Sequence, residues 1–114
     1  MEVPLKLSFH GLDPSEAVEA RARERIARLE RHHGRITSCR VVIDSGHRHG
    51  RKGHLYKVAV DVVVPGATLV VDRSPDAAQD HADVYVALRD AFDAMDRKLA
   101  EHTRRLRDAG KHGG

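Results

Sequence analysis

Residues 55–73 read LYKVAVDVVVPGATLVVDR, and this stretch decides the fold. Val58, Val60, Val62 and Val64 occupy alternate positions, the period of a strand with one face buried, and β-branched side chains pack well on a pleated surface. Pro65-Gly66 breaks the run with a turn dipeptide, and TLVVDR (68–73) resumes the same chemistry as a shorter strand. The two runs read as an antiparallel hairpin. Toward the N-terminus, ITSCRVVID (36–44) is a further strand, and residues 3–9 alternate Val3, Leu5, Leu7 and Phe9 with Pro4, Lys6 and Ser8 as another. Asp13-Pro14-Ser15-Glu16 supplies a capping residue, a proline at the first helical position and an acid three residues past the cap. Val18, Ala22, Ile26 and Leu29 then form one apolar stripe, and Gly34 supplies the stop. From Ala82 the period changes again. Val84, Leu88, Phe92, Met95, Leu99 and Leu106 lie on one face of a helix expected to end near Asp108, with KHGG as a frayed tail.

The order is β-α-β-β-β-α. It predicts an α+β fold, a four-stranded mostly antiparallel sheet with two helices packed on one face, the first helix acting as a crossover that lets the first two strands run parallel. At 114 residues and 12.7 kDa, with 40% hydrophobic and 32% charged residues, the chain is expected to be one domain over residues 1–109, followed by a disordered tail at 110–114. Cys39 is the lone cysteine and sits inside a strand-like run, so it reads as a small buried residue in a reducing compartment. The N-terminus lacks a signal-peptide pattern, and no run of ~18 apolar residues suggests a membrane span. A cytoplasmic protein is expected.

The net charge is only +3, so its distribution matters more than its sum. In residues 13–33, Arg21, Arg23, Arg25, Arg28 and Arg31 are balanced by Asp13, Glu16, Glu19, Glu24 and Glu30. The last helix is polarised: aspartates dominate residues 83–96, whereas Arg97, Lys98, Arg104, Arg105 and Arg107 outweigh Glu101 and Asp108 after them. Cations at a helix C-terminus suit its dipole, and they also make a basic tip. The sheet face away from the helices should carry Lys6, Ser8, Arg40 and Lys57 with Asp44 and Asp61.

The stretch HRHGRKGH (47–54) sits between two strands. His47, His49 and His54 are weak metal-ligand candidates, because Asp44 is the only adjacent carboxylate and Arg48, Arg51 and Lys52 would repel a divalent ion. The same residues suit phosphate without conflict, and a solvated hairpin connection is the plain alternative. Catalysis finds little support. His32-His33 reads as a polar helix end, His10, His81 and His102 are scattered, and Asp90, Asp93 and Asp96 look like a solvated helix face. No Gly-rich phosphate fingerprint is present. The expected class is a binding module without cofactor, not an enzyme.

Asp83-Val84-Tyr85-Val86-Ala87-Leu88, followed by Asp93, Arg97, Lys98, Leu99, His102, Arg105 and Arg107, resembles the D-x-Y-x-A-[IL] helix of the ribosome hibernation-promoting factor family. That family includes the ribosome-associated translation inhibitor, also called sigma-54 modulation protein or ribosomal subunit interface protein. ARLERHHGRITSCRVVID (27–44) is similar to the family's helix-to-strand junction, and the resemblance spans residues 3–107. It implies the same fold and binding to the small ribosomal subunit near the decoding centre, blocking mRNA and tRNA sites in stress or stationary phase. The partner implied is 16S rRNA, with no membrane or DNA, and the short length implies the short form of the family. Arg89, Ala94, Glu101 and Thr103 depart from the acid and lysines common in members. The candidate phosphate contacts are Lys6, Arg40, Arg48, Arg51, Lys52, Lys57, Arg97, Lys98, Arg104, Arg105 and Arg107. A module of the same fold that binds a protein or a metal through its His-rich loop is the alternative.

Overall fold

The computed structural model describes residues 3–45, 56–73 and 83–112. They form β1 (Leu5–His10), α1 (Glu16–His33), β2 (Ser38–Ser45), β3 (Tyr56–Val64), β4 (Ala67–Arg73) and α2 (Val84–His112). The sheet order is β1-β2-β3-β4, with β1 parallel to β2 and the other pairs antiparallel. This is the predicted architecture.

Register puts Leu5, Cys39, Val62 and Leu69 in one row across the four strands, and Leu7, Val41, Val60 and Val71 in the next. Because side chains alternate across a strand, these rows share the face that closes onto the helices. Val18, Ala22, Ile26 and Leu29 of α1, and Leu88, Phe92, Met95 and Leu99 of α2, join them in one buried cluster. Cys39 lies in it, and burial pushes its thiol up to about 12, with the Asp61 charge acting in the same direction.

Three local details differ from the sequence expectation. The cap of α1 is Ser15, not Asp13: its hydroxyl accepts the Val18 amide at 3.2 Å with extended backbone angles, which leaves Pro14 before the cap. Helix α2 runs to His112 rather than ending near Asp108. Leu106 shares the stripe of Leu99 but is exposed, because no described residue beyond Leu99 is buried on α2. Gly34 ends α1 as expected, at φ 67° with its amide donating to the Glu30 carbonyl at 2.7 Å.

The two helices run in the same direction. The Arg21 guanidinium lies 5.2 Å from the Tyr85 ring centroid, Leu29 and Phe92 line one groove further along, and His33 Nε2 meets Asp96 Oδ1 at 2.6 Å. Contacts therefore advance together along both chains. Helix α1 stops at His33, level with Asp96, so α2 continues alone. At 1.5 Å per residue, Ala100–His112 adds about 20 Å at the end of the sheet that carries the Pro65-Gly66 turn. Ser45 and Tyr56 pair at the opposite end.

Candidate nucleic-acid interface

The described cations fall on two surfaces, and their electrostatics differ. On the open sheet face, Lys6 neighbours Arg40, and Arg40 stands opposite Asp61. Lys57 stands opposite Asp44 and its ammonium lies 3.7 Å from Asp72. Each row with Arg40 or Lys57 therefore supplies its own carboxylate. Val42, Ala59, Val63 and Val70 fill the space between the charges, Val70 being 47% exposed. As expected, Lys6, Ser8, Arg40 and Lys57 share this face with Asp44 and Asp61, but the face is balanced rather than basic.

The helix layer is unbalanced. Glu19 pairs with Arg23 at 2.9 Å and Glu24 with Arg21 at 3.5 Å, exposed pairs that offset two arginine charges on the α1 surface. Arg25, Arg28 and Arg31 have no ion pair within 4 Å among the described residues; with Arg21, Glu24 and Ala27 they line an open groove, and Arg25 and Arg28 share a second groove with Asp93 and Asp96 of α2. The sum over residues 13–33 concealed this. Cancellation in sequence is only partly cancellation in space: Asp13 and Glu16 sit at the far end of the helix from Arg28 and Arg31, which leaves Glu30, with Glu24 in the same groove, as the acids of the five beside them. The signal available was spacing: Arg21, Arg25, Arg28 and His32 recur at four, three and four, which places them on one side of a helix.

On α2, Arg97, Arg104 and Arg107 are exposed and unpaired among the described residues. Arg105 lies 3.5 Å from Glu101, an exposed i,i+4 pair of small strength. Lys98 has a structural partner instead: its ammonium donates to the Val70 carbonyl at 2.7 Å, covering a backbone acceptor on the outer edge of β4. The Asp96–His33 bond ties the two helices where the α1 row ends and the α2 extension begins. Arg97 follows Asp96 directly in sequence and points about 100° round the helix from it. Asp96 is thus not merely part of a solvated face, and His33, with its side chain 13% exposed, is more than a helix end.

Arg48, Arg51 and Lys52, and the metal candidates His47, His49 and His54, lie outside the described residues. Among the described residues, no group of three or more His, Cys, Asp or Glu is placed to hold a metal ion, and no helix is long and apolar enough to cross a membrane.

Fold and charge together define a class: a small α+β module with a balanced sheet face and a cationic helix layer. The family model described as sigma 54 modulation protein / S30EA ribosomal protein matches residues 5–107, and the chain belongs to that family. A ribosome hibernation promoting factor from Azotobacter vinelandii is 32% identical over 98 residues, covering 86% of this chain and 80% of that protein. Among solved structures, a ribosomal subunit interface protein from Coxiella burnetii has a TM-score of 0.72 at 14% identity, covering 90% of this chain and 99% of that one. The N-terminal domain of Thermus thermophilus Protein Y has a TM-score of 0.68 at 21% identity, again over 90% and 99%. These structural likenesses establish the fold.

Proposed function

We propose that this protein binds the small ribosomal subunit in the cytoplasm through phosphates of 16S rRNA and inhibits translation under stress or in stationary phase. The observation that carries the reading is the helix layer: Arg25, Arg28 and Arg31 of α1 and Arg97, Arg104 and Arg107 of α2 have no ion pair within 4 Å among the described residues, while Asp93 and Asp96 share the groove of Arg25 and Arg28. Unpaired surface guanidiniums hold phosphate oxygens in bidentate geometry and release condensed counterions when they do so. The family relationship and a relative named as a ribosome hibernation promoting factor supply the kind of polyanion.

The physical division of labour is simple. The sheet and the buried halves of the helices make a rigid body, and the arginines fix its position on RNA by charge, as phosphate contacts do. A body seated in an mRNA or tRNA path excludes its ligand by volume, with no reacting group needed. Lys6, Arg40 and Lys57 contribute less, because Asp61, Asp44 and Asp72 are interspersed with them on the sheet.

Co-sedimentation of the full chain with purified small and large subunits tests this. Binding to the small subunit is expected, weakening by about three orders of magnitude over a fourfold rise in salt for six contacts, together with inhibition of a reconstituted translation reaction. Binding that ignores salt, or that prefers the large subunit, would refute the proposal.

A further inference from the structure

A cationic helix layer does not explain Leu106. Leu88, Phe92, Met95, Leu99, His102 and Leu106 recur along α2 at alternating steps of four and three, which keeps them on one side of the helix. Leu88 through Leu99 are sealed in the core, whereas Leu106 is 59% exposed. It lies seven residues past the last core position, about 10 Å further along the axis. Arg105 and Arg107 flank it on either side of the helix, both exposed, with Glu101 3.5 Å from Arg105, whereas Arg104 lies on the opposite side. Arginine, lysine or glutamine would serve the helix as well there, so helix formation does not call for a leucine.

The surrounding charge selects the occupant. A second copy of the same tip would bring arginines against arginines, which disfavours it. A membrane surface needs a broader apolar stripe than one leucine provides. Folded RNA offers both required chemistries within a few ångströms, phosphates and the apolar faces of unstacked bases and riboses. We propose that Leu106 packs against an unstacked nucleotide of ribosomal RNA while Arg105 and Arg107 hold the flanking phosphates. The tip then prefers irregular or single-stranded RNA over continuous duplex. This deepens the RNA-binding reading above and rests on it.

Fluorescence anisotropy with the full chain tests the idea, using a 12-nucleotide single-stranded RNA and a blunt 12-base-pair RNA duplex as probes at several salt concentrations. Leu106→Ser should weaken single-strand binding about fivefold to tenfold, leave duplex binding and the salt slope unchanged, and leave helical circular dichroism intact. Leu106→Met should restore binding to within about twofold. Arg105→Gln with Arg107→Gln should instead weaken both probes and lower the salt slope by about 1.5. Unchanged single-strand binding in Leu106→Ser, or equal loss on both probes, overturns the proposal. If that variant loses small-subunit binding while both oligonucleotides bind normally, Leu106 meets a ribosomal protein, and the proposal fails while ribosome binding stands. If the native chain binds neither RNA, the RNA reading fails and takes this proposal with it.

Discussion

Helix α2 contains two regions built on one repeat. From Val84 to Leu99 its apolar stripe is closed in by α1, β3 and β4, and the same stretch carries Asp90, Asp93 and Asp96, the last two facing the α1 groove. From Ala100 to His112 the same helix continues without α1 beside it, its described side chains half-buried at most, with Arg104, Arg105 and Arg107 around Leu106. Helix propensity and side-chain period are shared. The difference is made by neighbours: the first region holds the fold together, and the second is free to hold something else. Substitutions in the first should move stability, and substitutions in the second should move binding.

The largest expected effect tests the first half of that statement. Leu99 is 1% exposed and Leu106 is 59% exposed. Leu99→Ala should destabilise the fold by about 3 kcal/mol in denaturant titration, through lost transfer energy and the cavity left behind, while Leu106→Ala should change it by less than about 0.5 kcal/mol. Similar losses at both positions would mean that the extension is packed after all. The second half is tested by Arg97→Glu, Arg104→Glu and Arg107→Glu together. Small-subunit affinity should fall at least about a hundredfold, roughly 2.7 kcal/mol, with the melting temperature nearly unchanged. The matched control is Lys6→Ser, Arg40→Ser and Lys57→Ser on the sheet, where about a threefold loss or less is expected.

Cys39 carries a pH dependence that belongs wholly to the body. Its thiol is raised from 9.0 to about 12 by burial first and by Asp61 second. The folded state therefore keeps a proton that the unfolded state releases above pH 9. The contribution is fully present below pH 9 and is lost progressively as pH rises toward 12. Cys39→Ala should flatten that alkaline loss, and native Cys39 should resist alkylation at pH 8. An unchanged slope above pH 9 in the variant would remove the assignment.

The strands were legible because the alternation in β3 and β4 is strict and Pro65-Gly66 marks the turn. The α1 stripe and its Gly34 stop were legible for the same reason, a period closed by a residue with one structural use. What the sequence could not display was adjacency. His33 and Asp96 are 63 positions apart, and Lys98 reaches a carbonyl on β4 rather than a side chain. Leu106 fits the core period, and only the end of the neighbouring helix decides that it is outside. Ser15 and Asp13 are both good capping residues, and the choice between them rests on which one reaches an amide three residues on. Likewise the candidate cations could be named from sequence, but their division into a matched sheet face and an unmatched helix layer depends on register.

The junction between the two regions of α2 is fixed by Asp96. Its carboxylate accepts from His33 at 2.6 Å, with His32 3.9 Å away. A double-mutant cycle with Asp96→Ala and His33→Ala should return a coupling of about 1 kcal/mol, the usual range for a partly exposed hydrogen-bonded pair. No coupling would mean that the helix ends are held by packing at Leu29 and Phe92 alone.

The smallest effect expected lies at the point where the stripe changes chemistry. His102 follows Leu99 on the same side of α2, and its Nε2 is buried without a hydrogen-bond partner among the described residues. A buried polar atom with no partner loses its hydration and gains nothing for it, whereas an apolar group of similar reach has no such loss. His102→Leu should therefore stabilise the protein by about 0.5–1 kcal/mol, read as a rise in denaturation midpoint at constant slope. Destabilisation instead would show that the imidazole is satisfied in solution, and that the body of α2 reaches at least one turn further than Leu99. That would move the boundary between the holding half of the helix and the binding half toward Leu106 itself.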